Sequence, residues 1–309
     1  MNFNGADHFD RHWRLWVTLF WLGTAAVFIA DRWNLIGWFA LGDTDDNLRL
    51  MQVRALLAGQ EWFDLRQYRM DPPYGADIHW SRLVDLPLAG FMLLLRLFMT
   101  GAEAEKVAVG IAPLLPMGVA MALLALVWRR LIAPQGYVVA LLLLLAAHSA
   151  KGMWMPLRID HHGWQLAMLG LLLVGLTDKS RARGGAIAGG ATALSLTIGL
   201  EMLIYLAAAG AAIALMWIRD AGQARRLAAY GASLAGGTAL GYLLFASYAN
   251  RAPGCDALSP VWLSAMAGAG AASVLLARLD IERWPVRLLA AGAAGAVLAV
   301  GYTLAWPQC

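Results

Sequence analysis

Residues 83–99 read Leu-Val-Asp-Leu-Pro-Leu-Ala-Gly-Phe-Met-Leu-Leu-Leu-Arg-Leu-Phe-Met. This run decides how the chain is threaded, because it sits at the lower limit of a membrane crossing, about 17–25 residues. Asp85, Pro87 and Arg96 interrupt it. A crossing here would exchange the sides of every later loop. We therefore read 83–99 as a juxtamembrane helix lying in the outer interface, apolar on one side. The alternative is a further transmembrane span, which would put the following loops on the wrong faces.

Those faces are set by Lys/Arg clusters on either side of the apolar runs. Arg129-Arg130, Lys179 with Arg181 and Arg183, Arg219 with Arg225 and Arg226, and Arg278 with Arg283 and Arg287 belong with Arg11 and Arg14 in the cytoplasm by the positive-inside rule. Parity then holds for crossings near 14–32, 106–128, 137–151, 164–177, 186–200, 202–218, 227–247, 260–278 and 287–305. The fold expected is an all-α polytopic membrane protein of about nine transmembrane helices. Its break at Gly199-Leu200-Glu201 is inferred because the basic clusters on both sides must share one face.

The composition agrees. Of 309 residues, 60% are hydrophobic and only 14% charged, against about 25% charged in ordinary soluble domains. Mean hydropathy is +0.59. These values exclude a soluble globular enzyme, a disordered chain and a nucleic-acid binder. The excess of 24 Lys and Arg over 20 Asp and Glu is small. The first apolar run, Leu15 to Ala30, lacks a small-residue cleavage site and reads as a retained signal anchor. Residues 1–309 read as one transmembrane domain. Stretches rich in Ala and Gly at 184–193, 207–212, 266–272 and 290–296 suit close helix packing in lipid.

The outer side receives a long first loop, 32–105, and shorter segments at 152–163, 199–201 and 248–259. A loop of that length in a compact protein is usually functional. It opens with Gly42-Asp43-Thr44-Asp45-Asp46-Asn47-Leu48-Arg49. Clustered carboxylates point to a cation, a helix start, or both. Asp45 or Asp46 can serve the start, since Leu48, Leu50, Val53 and Leu57 follow with amphipathic spacing and acids favour a first turn. Asp43 lies ahead of that helix and is freer to bind a metal or substrate. The second loop ends in Arg158-Ile159-Asp160-His161-His162. One carboxylate and two imidazoles are ligands for Mn²⁺, Mg²⁺ or a similar ion. Neighbouring residues on a helix diverge by about 100°, so one His is expected to face elsewhere.

These two motifs resemble the catalytic subunit of oligosaccharyltransferases, within the GT-C superfamily of polytopic glycosyltransferases. That family carries a first-loop acid often followed six positions later by Arg, the spacing of Asp43 and Arg49. Archaeal members carry Asp-His-His at a helix start in the second loop, a few residues after an Arg, as with Arg158 and Asp160-His161-His162. The acid common three positions after His-His is replaced by Gln165. The resemblance covers roughly residues 15–180 by motif. It implies a GT-C fold with a juxtamembrane helix in the first loop and a divalent metal at Asp43, Asp160, His161 and His162. It also implies a donor sugar on a polyprenyl phosphate or pyrophosphate. The family's Trp-Trp-Asp-Tyr-Gly acceptor motif and soluble domain are missing, so the chain is either a fragment or a shorter enzyme with another acceptor.

Further candidates come from the loops themselves. His79 and Arg82 precede the interfacial helix, where they can meet a lipid phosphate. The nearby aromatics suit any membrane interface. Glu201, alone in a long apolar stretch, is either a third acidic group of the site or a solvated turn residue. Cys255 and Cys309 fall on the same outer face, where an oxidising compartment permits a disulfide. The expectation is a glycosyltransferase of a bacterial inner membrane, its site facing outward. Catalysis falls to Asp43, Asp160 and Glu201, and substrate contacts to Asp45, Asp46, Arg49, Arg158, His79 and Arg82. The alternatives are a transporter or flippase of lipid-linked substrate, or an inactive partner subunit.

Overall fold

The computed structural model describes residues 9–309, and its regular structure is helical apart from one two-stranded ladder. In order, α1 is Trp13–Asp31, α2 Trp33–Trp38, α3 Thr44–Leu57, β1 Arg66–Gln67, β2 Ala76–Asp77, α4 Asp85–Leu95, α5 Gly101–Ile111 and α6 Leu114–Leu131. Then come α7 Tyr137–Ala146, α8 His148–Gly152, α9 His162–Leu176, α10 Arg181–Ile198, α11 Leu203–Arg219, α12 Ala224–Phe245, α13 Pro260–Arg278 and α14 Trp284–Ala305.

Helices stand at each of the nine expected spans. Among the described residues, five segments are long and apolar enough to cross a membrane: 13–31, 101–131, 221–245, 260–278 and 284–305. The count of nine is therefore not reproduced. The 10-residue α7 rises only about 15 Å, half of a hydrocarbon core of about 30 Å. The same arithmetic places α4, with 11 residues, well short of a crossing. Its neighbour α5 starts at a capping box, in which Thr100 and Glu103 satisfy each other's backbone N–H.

The chain forms two compact units. Among the described residues, the first comprises those up to 60 and 84–170, and the second 61–83 and 171–309. Leu50, Val53, Leu88, Ala89, Met92, Ala108, Val109, Leu157 and Ile159 form a core of the first unit. In this unit α1 meets α6 where Trp21 Nε1 donates to the Leu114 carbonyl at 2.7 Å.

The second unit is built on small residues. A Cβ on Gly185 would lie 2.1 Å from the Arg226 carbonyl oxygen, and one on Gly189 2.3 Å from that of Tyr230. Gly231 and Gly270 bring α12 and α13 equally close. Backbones this near gain dispersion contacts that lipid tails cannot match. Two of the basic residues expected on the cytoplasmic side are buried. Arg226 donates to the carbonyls of Gly175, Leu176 and Asp178 at the end of α9. Arg287 does the same for Ile218 at the end of α11.

Residues 61–83 belong to this unit and contain the one departure from an all-α fold. Arg66 pairs with Asp77 across β1 and β2, backed by guanidinium–carboxylate contacts of 2.7 and 3.0 Å. The segment is tied to the end of α12 and the loop beyond it. Trp62 Nε1 donates to the Leu244 carbonyl, the Tyr248 N–H to that of Phe63, and Asn250 Nδ2 to that of His79. Cys255 and Cys309 are joined in a disulfide, with Cα atoms 5.5 Å apart.

Candidate active site

The first-loop half of the site is made by the start of α3. Asp43 is the N-cap. Its backbone is extended and its Oδ1 accepts the Asp45 N–H at 3.0 Å, satisfying one of the N–H groups a helix start leaves open. Asp43 thus lies ahead of the helix, as the sequence suggests, but it is tied to the helix start as its cap rather than free. Asp45 and Asp46 occupy the first turn. Capping leaves the second oxygen of Asp43 available, and it accepts from Arg158 Nη1 at 2.7 Å. The Asp45 N–H and then Arg158 hold the Asp43 carboxyl below the usual carboxylate range.

Asp46 points the other way and is fully buried. Its Oδ2 accepts from the same Arg158 Nη1 at 3.0 Å, and its Oδ1 accepts the main-chain N–H of Asp160 at 3.0 Å. Burial pushes its carboxyl up to about 6, against the opposing pull of Arg158 and the Asp160 N–H.

The second half comes from the loop between α8 and α9. Leu157 has φ 78°, a left-handed conformation unusual for a Leu. Leu157 and Ile159 bury into the first unit's core, so the alternate residues Arg158 and Asp160 turn toward the α3 start. Asp160 is buried. Its Oδ1 accepts the His161 N–H at 2.5 Å, and its Oδ2 faces His162 Nδ1. Burial alone would raise this carboxyl, but the His161 and His162 contacts outweigh it and hold it well below the usual range.

The two imidazoles do not diverge as expected. They stack, with centroids 4.5 Å apart and planes 24° from parallel. The helical spacing does not apply, because α9 begins only at His162 and His161 lies in the turn before it. One ligand atom from each of Asp160, His161 and His162 lies within 4.8 Å of the others. An oxygen and two nitrogens that close are a set able to share one divalent cation.

Beneath this cluster, Arg49 is fully buried. Its Nη1 donates to Asp85 Oδ1 at 2.8 Å and its Nη2 lies 3.3 Å from His161 Nδ1. Asp85 is absent from the sequence candidates. It was visible only as a charge interrupting an apolar run, and it forms the first turn of α4. The first unit thus brings together Asp43, Asp46, Arg49, Asp85, Arg158, Asp160, His161 and His162.

Asp45 stays in the first turn of α3, in the first unit, and the other candidates belong to the second unit. Arg82 does not face outward toward a phosphate, as expected. It is fully buried and donates to the carbonyls of Glu61, Trp62 and Asp64 at 3.2, 2.8 and 2.6 Å. Its role is to hold the turn that follows Gln60. His79 is exposed, with its ring edge on Trp80. Glu201 is exposed in the turn between α10 and α11.

No protein-family model matches the chain, and neither does any curated protein. Solved structures of oligosaccharyltransferase from an archaeon do match it. The oligosaccharyltransferase AglB of Archaeoglobus fulgidus, in complex with an inhibitory peptide and a dolichol-phosphate, aligns with a TM-score of 0.70 at 16% identity over 95% of this chain. The A. fulgidus oligosaccharyltransferase tethered to an acceptor peptide with an NVT sequon gives 0.68 at 18% identity over 96%. Its complex with Zn and sulfate gives 0.64 at 18% over 85%. The chain spans 38%, 39% and 36% of those proteins, respectively. At these identities the likeness speaks for fold alone: the chain has the fold of the part of these oligosaccharyltransferases that it spans.

Proposed function

We propose that this chain is a metal-dependent membrane glycosyltransferase. It moves a sugar or oligosaccharide from a polyprenyl phosphate or pyrophosphate to an acceptor at the outer face of a bacterial inner membrane. The observation that carries the reading is the junction of the two acidic motifs, where Asp46 takes the Asp160 N–H and Arg158 bridges Asp43 and Asp46. Likeness to an archaeal enzyme solved with a dolichol-phosphate and with an acceptor peptide supports a lipid-linked donor. A structure of the A. fulgidus oligosaccharyltransferase with Zn and sulfate supports a metal.

The residues fit a divalent ion. Asp160, His161 and His162 would hold Mn²⁺ or Mg²⁺, with Asp43 beside them. Bound there, the ion would offset the negative charge that builds on the leaving phosphate. The chain's own groups do the rest. Arg158 keeps the carboxylates of Asp43 and Asp46 together, and its charge lies where an incoming phosphate is attracted. Asp43 is ionised and half-exposed, able to accept a hydrogen bond from the acceptor's nucleophile.

The test is sugar transfer or release from a labelled polyprenyl-phosphate donor pool in detergent, with and without Mn²⁺ or Mg²⁺. Metal-dependent turnover abolished by Asp43→Ala and by Asp160→Ala is the expected result. Turnover unchanged in both variants overturns the reading.

A further inference from the structure

Three ionisable side chains lie stacked out of water under the site. Asp85, Arg49 and His161 are exposed by 0%, 0% and 1%. None of the first two can reach a donor or acceptor from there, yet Arg49 lies against an imidazole of the cluster. A buried guanidinium is costly without a carboxylate partner, and Asp85 is that partner at 2.8 Å. The pair links three separate stretches of sequence: the α3 face, the first turn of α4, and the turn before α9.

The geometry is directional. A guanidinium presents its N–H groups in a rigid fork and only donates. With one nitrogen fixed on Asp85, the other is aimed at a ring edge of His161. Asp46 and Arg49 are three residues apart on α3 and therefore share a face. That one face takes the Asp160 N–H through Asp46 and the His161 ring through Arg49. The ring of His162 stacks on that of His161, and Asp160 contacts both.

We propose that Asp85 and Arg49 are positioning residues, which lock the ring of His161 and through it the arrangement of Asp160 and His162. The proposal rests on the reading of Asp160, His161 and His162 as the metal-holding part of the site. Asp85 acts at one remove, through Arg49, and Arg49 through the imidazole.

The experiment uses the full chain in detergent with ¹⁵N-labelled histidine, in wild type, Asp85→Asn and Arg49→Lys. A double variant, Asp85→Leu with Arg49→Met, removes both charges together, which is the better tolerated change for a buried pair. Arg54→Lys is the control, because Arg54, on the same helix as Arg49, pairs with Glu105 of α5 at 2.7 Å without touching the cluster. Two quantities are read: the His161 ring-nitrogen resonances without metal, and Mn²⁺ affinity by electron paramagnetic resonance. Circular dichroism and thermal unfolding verify the fold.

In wild type and in Arg54→Lys, one sharp set of His161 resonances is expected. In Asp85→Asn, Arg49→Lys and the double variant those resonances broaden or split, and Mn²⁺ binding weakens by about 10–100-fold, the usual cost of losing an outer partner of a ligand. Folded variants that keep the wild-type ring resonances overturn the proposal. If both single variants unfold, the double variant decides by the same criterion. Wild type that binds no Mn²⁺ but loses its ring order in Asp85→Asn overturns the metal reading and supports the positioning pair.

Discussion

The main-chain N–H of Asp160 donates to the carboxylate of Asp46 at 3.0 Å, across 114 residues of sequence. This single bond fixes the register between the loop that carries Asp-His-His and the helix that starts at Asp43. Its acceptor is fully buried, so water cannot replace it. Asp46→Ala should lower stability by about 1.5–3 kcal/mol, the range for a buried bond to an ionised group. Sugar transfer should fall at least about tenfold, since 1.4 kcal/mol of lost organisation corresponds to that factor. Asp46→Asn keeps an acceptor for the N–H but turns an amide NH₂ toward Arg158, and should fall between. Thermal unfolding beside the transfer assay checks both.

Arg158 bonds Asp43 and Asp46 through one nitrogen. Arg158→Gln removes the cation between two carboxylates and should reduce transfer more than Arg158→Lys. Lysine restores the charge but not the planar donor group. Equal transfer in the two variants would mean that charge at this point is irrelevant. The comparison is best made at several salt concentrations, because screening weakens exposed charge effects.

Gln52 is fully buried on α3, and neither atom of its amide has a hydrogen-bond partner among the described residues. An unpaired buried amide costs about 1–3 kcal/mol. Gln52→Leu, of similar volume, should raise the unfolding temperature by a few degrees. An unchanged or lower temperature would show that the amide is needed.

Helix packing in the second unit predicts a sharp contrast between adjacent glycines. A methyl at Gly189 would overlap the Tyr230 carbonyl oxygen, whereas at Gly190 nothing lies within 4 Å. Gly189→Ala should destabilise by about 1–3 kcal/mol through overpacking. Gly190→Ala should be neutral or gain up to about 1 kcal/mol. Unfolding of the two variants in one detergent gives the comparison.

The disulfide closes a loop of 54 residues. On the chain-entropy account a loop of that size contributes about 4 kcal/mol. Cys255→Ser should lower the unfolding temperature, and wild type treated with reductant should match it. Free-thiol labelling of untreated protein should find none among the described residues.

Much of this was legible in sequence because it is written locally. Apolar runs located the helices, Asp85, Pro87 and Arg96 marked residues 83–99 as no ordinary span, and the Asp43 and Asp160 motifs declared themselves by composition. What escaped depends on distant partners. Asp85 counts only against a crossing, and nothing nearby shows that Arg49, expected as a substrate contact, is buried between Asp85 and the His161 ring. The burial of Arg82, Arg226 and Arg287 is not legible in sequence, since their carbonyl partners are set by tertiary packing. The angle between His161 and His162 was misjudged because it depends on whether the helix begins before or after His161.

The segment 61–83 has a consequence for the order in which the protein is built. Trp62 leaves the ribosome 182 residues before Leu244, whose carbonyl it binds, and Glu61 187 residues before Tyr248. At about 5–20 residues per second, the hairpin waits roughly 10–40 s for its partners. During that interval its aromatic side chains have no native surface to cover them. The segment 61–83 therefore completes only once the end of α12 has emerged, although it is translated early, and a chain arrested before α12 would present this segment to chaperones or proteases.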